Sequence, residues 1–291
     1  MRRHRGFSLP ELLVGMALGS LAVAGCLSAF AAGRSLLLQA QATNRLHERG
    51  LYLLSVLEPE LQLAGGYGLA AAASIRTEAV TSLAAACGSG LAQDLSQAVE
   101  ASSSRWPLAC EASGGGWVAG TDVLIVRRAA VAPALPQAGR LQLLTSTVAP
   151  ASSRLLATGA LPEGLALQTG RTELHDLLVR CYYIARRADG SDANTPALRV
   201  KSLTRYAGSP TFIDTEVLPG VRGLTVQVGY RPTVEAALQF VAGDALPNGA
   251  QALAVRLQVQ LIGQGTEVGF EAAGHPLQLT RTISLRNAVP L

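Results

Sequence analysis

The sequence predicts an α+β protein, a long N-terminal membrane-spanning and amphipathic helix packed on a C-terminal antiparallel β-sheet domain. Three observations carry this. Leu12 to Gly33 contains no Asp, Glu, Lys or Arg. Leu46, Leu53, Leu54, Leu57, Leu61 and Ala64 then recur at helical spacing. Beyond residue 120, apolar and polar residues alternate with the period of a half-buried strand. The resulting boundaries are a leader over 1–6, a helix over 7–64 (membrane-spanning to 33, amphipathic from 34), a connection over 65–120 and a sheet domain over 121–291.

The first element follows from charge and length. Arg2, Arg3 and Arg5 precede the uncharged run, which as a helix is about 33 Å long, one hydrocarbon core. Cations clustered before the run, with none just inside it, orient the N-terminus inward, so residues 34–291 are exported. Gly50 interrupts the amphipathic face, and Pro59 is expected to kink it or begin a new turn. Residues 65–120, rich in Gly, Ala and Ser, read as an irregular connection with a short helix within Leu91–Glu100. Strands are expected at Asp122–Arg128, Leu178–Ile184, Leu198–Tyr206, Leu224–Tyr230, Leu253–Leu261 and Leu277–Leu285. One dry sheet face, covered by the second half of the helix, is the arrangement these patterns imply.

Composition narrows the function. The chain of 291 residues is 49% hydrophobic and only 15% charged, which excludes charge-driven disorder. Its net charge of +4 misleads: without the three leader arginines, 21 basic residues of the 24 face 20 acidic ones. A tight nucleic-acid binder needs a clustered basic face, and the only close pairs are Arg127–Arg128 and Arg186–Arg187. His4, His47, His175 and His275 are scattered, without metal-ligand spacing. A nucleophile elbow and a phosphate-binding loop are both missing from the sequence, so no catalytic residue, metal or cofactor is expected. Glu58 and Glu60, flanking Pro59, do not read as a catalytic carboxylate pair.

Three processing fates compete at the N-terminus. Ala29-Phe30-Ala31 fits a signal-peptidase site, and Val23-Ala24-Gly25-Cys26 fits the box before a lipid-modified cysteine. Gly6-Phe7-Ser8-Leu9-Pro10-Glu11-Leu12-Leu13 resembles a prepilin peptidase site: a basic leader ending in Gly6, Phe7 exposed for N-methylation, and Glu11 fifth in the mature chain. Glu11 chooses between them. A lone carboxylate entering an apolar segment costs a few kcal/mol, so an ordinary signal core should lack it. Cleavage after Gly6 creates an α-amino cation on Phe7, and pairing with such a cation makes the carboxylate tolerable. The resemblance implies that this pairing acts between subunits during assembly. Residues 28–41 stay apolar instead of turning polar and flexible, which also disfavours the first two fates. Gly15 and Gly19 form a Gly-x-x-x-Gly pair, a weak packing signal.

Cys26 lies in the apolar run and reads as unpaired. Of the other three, Cys87 with Cys110 is the preferred bridge, Cys181 reading as core; a bridge from Cys181 to either loop cysteine stays open. Asp189-Gly190-Ser191-Asp192-Ala193-Asn194 offers Asp189, Asp192 and Asn194 as a weak ion site. It lacks EF-hand spacing, and a hairpin turn is expected at the same place, so the turn is the preferred reading.

Longer likenesses run along the chain. Glu11 to Gly19, Arg49-Gly50, Leu61-Gln62-Leu63-Ala64-Gly65-Gly66-Tyr67-Gly68, Cys181 to Arg186, Val221 to Val228 and Ile283 to Asn287 resemble segments of the PilW family of type IV pilus minor pilins. Gln62, the extra glycine after Ala64, and Pro10 depart from that pattern; Pro10 in a first helical turn loses no hydrogen bond. The resemblance implies a non-catalytic subunit of the inner-membrane complex that primes pilus assembly and can sit at the tip. Implied partners are other minor pilins, the major pilin, prepilin peptidase, the inner-membrane assembly platform and membrane lipid, with no small-molecule substrate and no nucleic acid. The implied location is the bacterial inner membrane, single-pass with a periplasmic C-terminal domain, and then the pilus. The alternatives are a J-type minor pseudopilin of type II secretion and a periplasmic lipoprotein or binding protein anchored at Cys26. A DNA-uptake pilin would need an exposed stripe built from Arg127, Arg128, Arg186, Arg187, Arg199, Lys201 and Arg205.

Overall fold

The computed structural model describes residues 8–77, 87–103, 105–190, 195–233, 235–263 and 276–287. The chain divides into two compact units, residues 1–48 with 263–275 and residues 49–262 with 276–291. Helix α1, Leu9–Gln62, begins in the first unit and ends in the second. In the first unit its residues up to Leu36 are exposed, including Leu9, Leu12, Leu13, Met16 and Leu21.

Within the second unit the rest of α1 is a packing element. Leu53, Leu57 and Leu61 are at most 1% exposed, the i, i+4 stripe of a half-buried helix. The helix runs without interruption through Gly50 and Pro59. Gly50 does not break the buried face: it is buried itself, and a Cβ there would lie 2.1 Å from Leu279 Cδ1. A close approach of backbone to a leucine side chain is what the glycine provides. At the helix end the Asn287 amide donates to the Leu63 and Ala64 carbonyls at 3.2 and 3.3 Å, satisfying acceptors a C-terminus leaves open.

The strands form two antiparallel sheets, not one. The larger contains β1 (Val99–Ser102), β2 (Val123–Pro133), β3 (Gln142–Ser146), β4 (Arg154–Leu156), β5 (Thr172–Ala185), β6 (Ala197–Tyr206) and β7 (Ser209–Pro219). The smaller has the order β11-β10-β8-β9, with β8 Val221–Tyr230, β9 Gln239–Ala242, β10 Ala254–Leu261 and β11 Leu277–Ser284. The 14-residue β5 organises the larger sheet. One edge pairs with β2, while the other takes β3 over 172–176 and β6 over 180–185.

Both faces of the larger sheet are covered. Ile125, Leu177, Val179, Cys181 and Tyr183 pack under the segment after the helix, through Tyr67, Ile75, Leu95 and Leu108. The described residues of 65–120 therefore cover a sheet face; α2 (Ser89–Gln93) overlaps the start of the short helix expected within Leu91–Glu100, and β1 is a strand where that helix is expected to end. The opposite parity, with Arg128 and Arg180, meets the end of α1 at Glu60. Asp122 ties the two sheets together: its N–H donates to the Leu224 carbonyl at 2.9 Å, and its carboxylate accepts from the Val226 N–H at 2.8 Å.

Candidate functional site

The N-terminal half of α1 carries the residues that the sequence singles out. Gly6 and Phe7 lie outside the described residues, and the helix is described from Ser8 onward. Ser8 is the N-cap: its carbonyl accepts the first helical hydrogen bond, from the Leu12 N–H at 3.1 Å. Glu11 stands three residues on, the position from which a carboxylate reaches back to the cap. Its Oε2 accepts from the Ser8 N–H at 3.5 Å and from the Ser8 hydroxyl at 3.4 Å. These are long contacts, so Ser8 steers the carboxylate without consuming it. Pro10 falls in the first turn, where its missing N–H costs no helical bond. The sequence expectations do not include this cap, although Ser-x-x-Glu before an apolar run is a signal that marks one.

Between Glu11 and Arg34 the helix offers nothing that needs water. The Ser20 and Ser28 hydroxyls donate to the carbonyls of Ala17 and Gly25, both at 2.9 Å, so the polar side chains of the run are satisfied within the helix. Nothing lies within 4 Å of a Cβ built at Gly15, Gly19, Gly25 or Gly33, and the thiol of Cys26 is exposed. The helix is long and apolar enough to cross a membrane. From Leu9 to Gly33 it thus presents an uncommitted apolar surface whose one carboxylate, Glu11, stands at the head.

The other residues singled out in the sequence have structural surroundings. Cys87 and Cys110 form a disulfide, while Cys181 is a buried free thiol that burial pushes well above its ordinary range. Asp189 accepts from Arg199 at 2.6 Å; Asp192 and Asn194 lie outside the described residues. Among the described residues no group of three His, Cys, Asp or Glu could hold a metal ion.

The basic residues do not form a stripe. Arg127, Arg128, Arg199 and Lys201 are buried and paired with Glu100, Glu60, Asp189 and Asp214. Arg205 donates to the Ala138 carbonyl. Only Arg186 and Arg187 of the group stay exposed without such a partner among the described residues.

One cluster was invisible to sequence spacing. Asp214 on β7 accepts from Arg199 Nε at 2.7 Å and from the Tyr183 hydroxyl at 2.5 Å, and Lys201 Nζ lies 2.9 Å away. Burial alone would raise the Asp214 carboxyl; the three donors outweigh it and hold it below the ordinary carboxylate range. The Tyr183 phenol is pushed up, by burial first and then by its bond to Asp214. All polar ends of the cluster meet one another, which is the signature of a structural network.

Residues 1–27 match the family model described as the prokaryotic N-terminal methylation motif. No curated protein and no solved structure matches the chain. The matched segment contains Gly6, Phe7, Glu11 and the first part of the exposed apolar helix. Residues 1–27 carry the N-terminal methylation motif of prokaryotic prepilin-type proteins, which supports a type IV pilin or pseudopilin.

Proposed function

We propose that the protein is a minor pilin of the type IV pilus of the PilW kind, a non-catalytic subunit of the inner-membrane complex that primes pilus assembly. The observation that carries this reading is the exposed apolar half of α1 with Glu11 at its head. Residues 9–36 are exposed throughout, a surface that lipid covers before assembly and neighbouring helices cover afterwards. A carboxylate in that setting calls for a cation, and the α-amino group of a cleaved Phe7 in a neighbouring subunit supplies one. Other minor pilins, the major pilin, prepilin peptidase and the assembly platform are the partners this role requires. The domain after the helix stands in the periplasm before the subunit enters the pilus. The weak ion site at Asp189, Asp192 and Asn194 has no part in this role.

The test is mass spectrometry of the mature N-terminus from cells that carry the native processing enzymes. A methylated Phe7 is expected. A lipid on Cys26, or a mature chain beginning at Ala32, would overturn the reading. With Phe7 methylated, co-purification with pilus subunits or with secretion-pilus subunits separates the minor pilin from a J-type pseudopilin.

A further inference from the structure

Two cavities open beside the end of β5, and their walls differ in kind. One, of about 630 Å³, is lined by Trp106, Trp117, Glu111 and the Gly115-Gly116 backbone. The other, of about 580 Å³, is lined by Arg186, Arg187 and Arg222. Gly115 and Arg186 belong to both. Each volume falls within the range of small-ligand sites. We propose that the two cavities form one binding site for an acidic saccharide, its carboxylate on the arginines and its ring against the tryptophans. The proposal is independent of the filament role and departs from the expectation of no small-molecule ligand.

The arginines supply the first argument. Arg127, Arg128, Arg180 and Arg199 each meet a carboxylate of the chain. Arg186, Arg187 and Arg222 are exposed and, among the described residues, have neither ion pair nor side-chain hydrogen bond. Three guanidiniums without internal counter-charge on one cavity wall are matched by a planar, bidentate carboxylate.

The tryptophans supply the second. The chain has only two, and both line the same cavity, with ring centroids 6.5 Å apart. Trp106 is held in place. The Trp106 indole N–H donates to the Cys110 carbonyl at 2.8 Å, Tyr183 meets its ring edge-on at 5.0 Å, and Cys110 is tied to Cys87. The glycine wall is fixed as well. Arg187 N–H donates to the Gly114 carbonyl at 2.8 Å and Arg186 N–H to the Gly116 carbonyl at 3.0 Å. Gly114 has φ +64°, and a Cβ there would lie 2.7 Å from the Arg187 carbonyl oxygen. A flat apolar face held rigid suits a ring with a C–H face.

Glu111 decides between two polyanions. Aromatic rings beside arginines also suit single-stranded nucleic acid. A carboxylate on the tryptophan wall repels either anion, but a saccharide offsets this with hydroxyls that donate to it, which a phosphodiester backbone lacks; Glu111 is exposed with no partner among the described residues. The chain beyond the leader is also nearly neutral, with 21 basic against 20 acidic residues, so the extended basic track of a strand binder is missing.

Because both tryptophans line the site, intrinsic emission of the full chain reports on it directly. The protein in a non-glycosidic detergent is titrated with trigalacturonic acid, with neutral galactotriose and with a short oligo-dT. Trigalacturonic acid is expected to give a saturable emission change, while galactotriose gives none. Arg186→Ala and Arg187→Ala, both at exposed side chains, are each expected to weaken binding about tenfold, the loss of one charge-assisted contact. Far-UV circular dichroism checks that these variants fold. A silent titration with trigalacturonic acid, an equal response to galactotriose, unchanged affinity in both variants, or saturation by oligo-dT alone would each overturn the proposal.

Discussion

The Glu60 carboxylate on α1 accepts two hydrogen bonds from the Arg128 guanidinium on β2, at 2.7 and 3.1 Å. Arg180 Nη1 on β5 lies 2.6 Å from the same carboxylate. Two residues earlier, Glu58 reaches Arg281 on β11 of the other sheet at 3.4 Å. The carboxylates on either side of Pro59 thus hold the helix end to different sheets. They are not equivalent. Glu60 and Arg128 are buried, whereas the Arg281 side chain is 54% exposed. Glu60→Gln leaves two guanidiniums without counter-charge and is predicted to destabilise the fold by about 3 kcal/mol. Glu58→Gln should cost less than about 1 kcal/mol. Urea unfolding of both variants in detergent makes the comparison, and equal losses would refute the assignment of the helix anchor to Glu60.

The Cys87–Cys110 bridge closes a sequence separation of 23. Chain-entropy arguments give a loop of that size about 3 kcal/mol. The same bridge positions the Cys110 carbonyl that the Trp106 indole N–H meets. Reduction is therefore predicted to lower the thermal midpoint and shift tryptophan emission together, while the β-sheet circular dichroism signal persists below the new midpoint. An emission spectrum unaltered by reduction would show that Trp106 is held by its other neighbours.

The Asp214 cluster gives a pH dependence with a definite sign. Its folded carboxyl titrates below the ordinary range, so the unfolded chain takes up the proton first as pH falls. The stabilisation is present above the unfolded value of about 3.9 and is lost as pH drops through the folded value. Asp214→Asn removes it, and it also leaves Arg199 and Lys201 without their shared charge. The variant should melt lower than wild type at pH 7 and lose less on acidification. Parallel acid limbs for the two proteins would place the acid sensitivity on other carboxylates.

Alternation is plainest in a strand with one wet face, although β2, also expected from the sequence, is buried at every position from Val123 to Ala129. β10 reads buried, intermediate, buried along Leu257 to Leu261, and its apolar and polar residues alternate accordingly. β3 is buried at all five positions, yet its sequence is Gln-Leu-Leu-Thr-Ser, so neither period nor hydrophobicity marks it. Its polar groups are satisfied sideways: Gln142 reaches Asp176, and Ser146 reaches Thr172. β7 is a polar edge with prolines at Pro210 and Pro219 and looks like a loop until its pairing with β6 is seen. The division into two sheets was illegible for a related reason. It depends on links such as Asp122 to Val226, more than a hundred residues apart. The same holds for both site-like clusters. Glu60 with Arg128 and Arg180, and Tyr183 with Asp214, are joined only by the fold, whereas the Glu11 cap is local and could be read from four consecutive residues.

Glu11 separates an assembly role from a mere anchor. Replacing it with Ala removes a carboxylate from the head of an apolar helix, and membrane insertion should become easier by a few kcal/mol on translocon scales. Ser8 then loses the partner at 3.4 Å, a contact long enough that the cap costs at most about 1 kcal/mol. Neither change should lower the amount of protein in the membrane, and cleavage before Phe7 should proceed. If Glu11 pairs with a neighbour's new α-amino group, the same variant should fail to enter filaments, and Glu11→Asp should recover part of the loss because the charge is kept. Membrane fractionation and sheared-filament blots of the two variants read these outcomes side by side. Normal entry of Glu11→Ala into filaments would leave the carboxylate as a feature of the helix flank alone.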